Sequence, residues 1–162
     1  KRNSPTLTNM AYNPYFLLDG GVPTLEQQVL VPVQEHKEFD FHFSLIAQRM
    51  EKDSAYVELS YRAYNREPDI FVITRAISAF ERTLISGNSS YDQYKFQNKK
   101  EALTKSEKNG MDLFFSDKLK CAECHGGFNF TDYSLQNNGL YINYAPSPST
   151  SCARQQPLGS RP

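Results

Sequence analysis

LFFSDKLKCAECHGGFNFTDYS, residues 113–134, carries the segment that decides how this chain folds. At its centre lies Cys121-Ala-Glu-Cys124-His125, and Cys-x-x-Cys-His is the spacing by which a polypeptide holds a haem covalently. Two thiols one helical turn apart add to different vinyl groups of the porphyrin. The next residue then presents an imidazole to the iron as its proximal axial ligand. Cys121, Cys124 and His125 are therefore the candidate cofactor-binding residues, His125 is the candidate iron ligand, and redox chemistry is the leading expectation.

Other readings of the pair fit less well. A zinc site needs ligands converging from several directions, whereas Cys124 and His125 are adjacent, and the third cysteine, Cys152, stands in a poorly patterned tail. A thioredoxin-like pair would open a helix after a buried strand, and no βαβ alternation is present. An unmodified pair inherited from a haem-binding ancestor stays open as a further alternative.

Composition sets the outer bounds. The 162 residues are 39% apolar, enough for one domain or two small ones, and no apolar run approaches the roughly 20 residues a bilayer requires. Eighteen basic residues balance eighteen acidic ones, so charge gives no argument for nucleic acid or an anionic membrane as partner. The chain begins at Lys1 without the parts of a signal peptide, which reads as a mature product or an internal fragment. Thioether attachment of haem needs reduced thiols and export-linked maturation. A periplasmic or extracytoplasmic location is thus expected.

Upstream of the motif the patterning is helical. Residues 1–22 are interrupted by Pro5, Asn13-Pro14 and Asp19-Gly20-Gly21 and read as ordered loop. Thr24 and Gln27 have capping-box spacing, predicting a helix through Leu30 that stops near Pro32. Phe41, Leu45, Ile46 and Met50 share one helical face; Ser54 is placed to cap a helix presenting Val57, Tyr61 and Tyr64. Asp69 caps another, whose Ile73, Ala76, Ile77, Phe80 and Leu84 form a stripe read as plain core packing, ending near Gly87. Residues 88–103 read as a connection. Thr104 and Glu107 then open a helix through Gly110, Met111, Phe114 and Phe115, with Gly110 suggesting close approach of another helix and Met111 explained by packing. Phe128, Phe130 and Tyr133 are able to cover a porphyrin face. From about Ala145 the Pro, Ser, Gln and Arg composition has no helical or strand period.

Taken together, RNSPTLTN (2–9), DGG (19–21), TLEQQ (24–28), the Glu38 loop, SAFERTLISG (78–87) and the extended motif segment 113–141 resemble the bacterial dihaem cytochrome c peroxidases. The resemblance runs from residue 2 to about 145 and is far more specific than Cys-x-x-Cys-His alone. It implies an all-α fold of two cytochrome c-like helical domains, each with one haem, and reduction of hydrogen peroxide by a small donor such as a cytochrome c or a cupredoxin. Intact members also imply a homodimer as a possible assembly, and related enzymes that mature tryptophan-derived quinone cofactors share the architecture. On this reading residues 1–95 are the C-terminal part of the first, peroxidatic domain, 96–145 begin the second, haem-binding domain, and 146–162 are an irregular tail foreign to the family pattern. A frame change near Ala145 is one account of that tail.

Residue by residue, the resemblance places an acid-base carboxylate at Glu38 and a peroxide-orienting amide at Gln28. The chemistry calls for such a pair, since a base must take a proton from one peroxide oxygen and return it to the other. Cys121, Cys124 and His125 match the second, electron-supplying haem. The first haem motif lies upstream of RN-x-PT in the family, so the peroxidatic haem is expected only in an intact member and the isolated chain is expected to be inactive, as a truncated product would be. The distal ligand of the electron-supplying haem lies downstream of Asn137-Asn138-Gly139-Leu140. Asn3 matches a side chain of an interdomain calcium site, with a turn beside Pro5 as its alternative reading. Two departures stand out: Leu18 replaces a tryptophan that relays electrons, and Phe39 replaces a methionine after the carboxylate.

Overall fold

The computed structural model describes residues 4–136. Asn3, the Asn137–Leu140 segment, Cys152 and the expected tail lie outside them. Six α-helices make up the described residues: α1 (Leu25–Gln34), α2 (Phe43–Met50), α3 (Ser54–Tyr64), α4 (Ile70–Arg82), α5 (Ser90–Phe96) and α6 (Lys105–Phe114). Short 3-10 turns at Met10–Tyr12, Lys100–Ala102 and Cys121–Glu123 complete the order, and the one β-bridge among described residues joins Phe16 and Val22. The expected all-α class is what the structure shows.

Caps place most helix starts where side chains can take up the first free amides. Thr24 accepts from Gln27 N, Asp69 from Val72 N, and Thr104 and Glu107 form a reciprocal capping box. Three starts or stops differ from expectation. The cap of α3 is Asp53, whose carboxylate accepts from Ala55 N at 2.9 Å, so Ser54 is already helical. Residues 88–103 contain α5, opened by a Ser89–Asp92 capping box that the polar composition concealed. Helix α1 does not stop before Pro32 but runs through it to Gln34. Proline there removes one intrahelical bond near the helix end, and the late carbonyls find other donors: Val31 O accepts from Glu35 N, Pro32 O from Phe39 N and Val33 O from Phe41 N.

Packing centres on α4, against which α1 and α2 are laid. Val29, Phe43, Ala47 and Ile73 form one buried cluster, flanked by Leu30, Val33, Ile46 and Met50. Met10, Phe16 and Leu25 form a second under the N-terminal loop. Ser78, fully buried, keeps the α4 surface flat, and its hydroxyl is satisfied by Thr74 O at 2.7 Å. The N-terminal segment is tied to the far end of α4 by Asn9, whose side chain donates to Ser86 O at 2.9 Å and accepts from Ser86 N at 2.8 Å. Leu25 is 1% exposed between these parts. Leu25→Ala is expected to cost about 2–5 kcal/mol, read as a lower denaturant midpoint at unchanged slope.

The apolar stripes were only partly core. On α2 the buried residues are Phe43 and Ala47, with Leu45 exposed, because the helix begins two residues after Phe41 and its inner face is rotated accordingly. On α3 only Ser60 is buried, while Tyr61 is exposed and donates to Glu67 at 2.8 Å. On α4, Ile73 is core but Ile77 is 39% and Phe80 63% exposed. Plain packing therefore does not explain that stripe. Among the described residues nothing outside the helix itself lies within 4 Å of the position a Gly110 Cβ would take, so no described helix makes the close approach expected there.

Candidate functional site

Ile77 and Glu81 of α4 face a cavity of about 640 Å³, within the range of small-molecule and cofactor sites. Its walls are built by register. Gln28, Val29, Pro32 and Val33 form one edge of α1, Ile46 and Arg49 come from α2 at i, i+3 spacing, and Ile77 and Glu81 from α4 at i, i+4. The loop after α1 adds Phe39 and Phe41. Arg49 is held by the Phe41 ring, with its guanidinium 4.6 Å from the ring centroid. The exposed Ile77 thus has a use: it lines an apolar chamber.

Two polar atoms interrupt that apolar wall. Gln28 Oε1 and Glu81 Oε2 are both shut off from solvent and have no hydrogen-bond partner among the described residues. Such orphaned groups are rare in folded proteins, since each costs about 1–3 kcal/mol, and they concentrate where function needs them. Burial pushes the Glu81 carboxyl above its ordinary value, against a smaller opposing pull from the neighbouring Arg82. Arg82 does not pair with Glu81, because consecutive helix residues diverge. It reaches instead to Glu26 Oε1 at 2.7 Å, and the bond from Arg82 holds Glu26 below the usual carboxylate range.

Of the two candidate catalytic residues, Gln28 lies in the cavity wall. Glu38 is exposed on the turn before Phe39, its backbone amide donating to Glu35 O at 2.9 Å. It stands on the loop that carries Phe39 and Phe41 into the lining rather than in the lining itself. Glu81 was missed by the sequence reading, although it follows Ile77 by four residues within SAFERTLISG.

The second site is the cysteine motif. Cys121–Glu123 form a 3-10 turn following Lys120, which has φ 56°, and both Cys124 N and His125 N donate to Cys121 O. Cys121 is half-buried, Cys124 is exposed, and both thiols are free. Gly126 is required by close backbone approach: a Cβ there would meet Ala122 O at 2.7 Å. The chain then doubles back, with Asp132 N donating to Cys124 O at 2.9 Å and His125 Nδ1 lying 3.3 Å from Phe130 O. With Nδ1–H engaged by that carbonyl, Nε2 carries the free lone pair, which is the arrangement a metal-ligating histidine requires. Ser134 N and Oγ donate to Asp132 and hold its carboxyl low, with a smaller contribution from His125.

Aromatic rings surround this turn. Tyr91, Phe114, Phe115 and Phe130 contact one another at centroid distances of 5.1–6.3 Å, and Phe128 meets Tyr12 edge-on at 4.8 Å. Free thiols, an open Nε2 and flanking aromatic surface fit a covalent haem. No group of three or more His, Cys, Asp or Glu able to hold a metal ion occurs among the described residues.

The chain is 31% identical over 141 residues to the methylamine utilization protein MauG of Methylorubrum extorquens, covering 86% of this chain and 39% of the relative. It is 33% identical over 147 residues to the cytochrome c peroxidase Ccp of Escherichia coli, covering 85% of this chain and 29% of that protein. The chain therefore spans about two fifths or less of the length of these relatives. A crystal structure of a MauG-like protein associated with microbial copper homeostasis superposes with a TM-score of 0.70 at 27% identity, over 81% of this chain and 39% of that one. The family model described as di-haem cytochrome c peroxidase matches residues 1–101, more than half of the sequence, and the chain belongs to that family.

Proposed function

We propose that this chain supplies the distal wall of a peroxide-reducing haem cavity and, in the same polypeptide, the attachment turn of a second haem that feeds it electrons. The observation that carries the reading is the cavity itself: an apolar chamber of about 640 Å³ with the Gln28 amide in its wall and the Glu38 loop at its edge. Val29, Pro32, Val33, Ile46 and Ile77 offer the apolar surface on which a porphyrin would rest. Cys121 and Cys124 would form the two thioethers of the other haem, with His125 Nε2 as its axial ligand. Bound haem would supply the one-electron chemistry that no side chain offers.

The reduction consumes two electrons and two protons for each peroxide and yields two waters. Within it, the Gln28 amide orients the peroxide by hydrogen bonding. Glu38 accepts a proton from one oxygen and delivers it to the departing one, which turns a poor leaving group into water. The apolar walls keep bulk water away from the Gln28 amide and strengthen its hydrogen bond. The donor would be a small redox protein such as a cytochrome c or a cupredoxin, met in a periplasmic or extracytoplasmic compartment. The division into a first unit over residues 1–95, a haem-binding unit over 96–145 and a tail over 146–162 belongs to the same proposal, as do a homodimer and an Asn3 calcium site.

A second reading is a one-haem electron carrier, favoured by the exposure of Cys124 and His125. Assay with reduced donor of the chain extended upstream to supply the first Cys-x-x-Cys-His, and loaded with both haems, separates the two. Peroxide-dependent donor oxidation supports the enzyme; reversible redox cycling without peroxide consumption supports the carrier.

A further inference from the structure

Among the described residues Arg49 is the one base in the lining of the chamber and Glu81 the one acid. A ligand does not meet them equally. Glu81 is 8% exposed, its Oε2 is shut off from solvent, and burial disfavours its charged form. Arg49 is exposed at the edge of the apolar wall. The charge that the chamber offers is therefore positive.

What holds Arg49 in place is a ring rather than an acid. Its guanidinium lies 4.6 Å from the centroid of Phe41, which also lines the chamber. Among the described residues no carboxylate pairs with it, whereas Arg62 lies 3.8 Å from Glu58, Arg66 bonds Asp69 and Arg82 bonds Glu26. A guanidinium stacked on a ring keeps its N–H groups free around its rim, in the fork that matches a carboxylate. Stacking also restrains the long side chain, so less freedom is lost when an anion arrives.

Register sets the apolar and charged parts side by side. Arg49 follows Ile46 by three residues, on the same face of α2 and about 4.5 Å farther along its axis. Ile46 belongs to the apolar wall with Val29, Val33 and Ile77. The ligand that fits both has an apolar body and an anionic edge.

We propose that Arg49 anchors the carboxylate edge of a porphyrin in this chamber: the ring rests on Val29, Val33, Ile46 and Ile77, and the Arg49 fork takes a propionate side chain. The proposal rests on the reading of the chamber as a haem cavity and adds to it what sets the ring's rotation. Apolar contact is non-directional and leaves that rotation open. One charged edge held at Arg49 fixes it.

Zinc protoporphyrin and its dimethyl ester distinguish an anchored edge from a purely apolar fit, since they share the ring and differ in the two carboxylates. Each is titrated into the full chain whose Cys121–His125 turn already carries its own haem, and binding is read from the shift of the added porphyrin's absorption band. The free acid should bind more tightly than the ester. Arg49→Gln should weaken the acid about three- to tenfold, the scale of one partly exposed charge-assisted bond, and leave the ester unchanged. Arg49→Lys should recover part of the loss, because it keeps the charge without the fork. Ile77→Trp, filling the chamber from a partly exposed position, should weaken both ligands.

Equal affinity for acid and ester in the unaltered chain, a comparison that needs no variant, would overturn the role of Arg49 and leave the chamber a porphyrin site. So would an acid indifferent to Arg49→Gln in a protein with its parent's denaturant midpoint. Failure of both ligands to bind, or binding indifferent to Ile77→Trp, would remove porphyrin from the chamber and the proposal with it.

Discussion

Replacing Cys121 and Cys124 together with alanine should abolish covalent haem at this motif. Each thioether anchors one edge of the porphyrin, and His125 alone provides a coordinate bond that denaturation releases. Expressed with an export signal and haem-maturation machinery, the unaltered chain should stay coloured through denaturing electrophoresis. The double variant should lose its haem on acid extraction. The turn should survive the change, because what shapes it is backbone: Cys121 O accepts two amides, Gly126 passes close to Ala122 O, and Asp132 N returns to Cys124 O. A double variant that keeps its colour under denaturing conditions would show that attachment lies elsewhere.

Glu38→Gln should lower peroxide turnover by about 10²-fold or more in the chain extended upstream and loaded with both haems, the usual scale for loss of a general acid-base group. Glutamine preserves size and hydrogen bonding but cannot carry the proton between the two oxygens. Haem content and stability should barely change, since the Glu38 side chain is exposed and its backbone, not its carboxylate, makes the bond to Glu35 O. Gln28→Ala should cost less, because water can partly replace an orienting amide. Wild-type turnover by the Glu38→Gln protein, with both haems verified, would remove Glu38 from the mechanism.

Helix existence was legible from sequence wherever a cap and an apolar period coincided, as at Thr24, Asp69 and Thr104. It was lost where the signal was local and polar. Helix α5 rests on the Ser89–Asp92 box and shows no buried residue, so hydrophobic period had nothing to register. Pro32 was read as a stop because proline lacks an amide, yet the loop at Phe39 and Phe41 supplies donors to the last carbonyls, a tertiary contact no local window contains.

The site was legible by two different routes. Cys121, Cys124 and His125 announce themselves by spacing, and the hydrogen bond that frees Nε2 follows from the return of the chain at Phe130. Gln28 and Glu38 carry no local signal and came from resemblance alone. The cavity could not be read at all, because a stripe lining a cavity and a stripe filling a core have the same period. Ile77 and Phe80 differ from Ile73 only in what the neighbouring helices leave uncovered. Glu81 is the residue that could have betrayed the difference: an acid in register with an apolar stripe is a poor core residue and a good cavity one.

Single-turnover spectroscopy shows whether one polypeptide joins an electron-supplying haem turn to a peroxide cavity. The doubly loaded, extended protein is reduced, freed of external donor and mixed with one equivalent of hydrogen peroxide. The reduced spectrum of the haem held by Cys121, Cys124 and His125 should disappear as peroxide is consumed, and its loss should slow in Glu38→Gln. A haem at that turn that stays reduced while peroxide persists would contradict the link between the two.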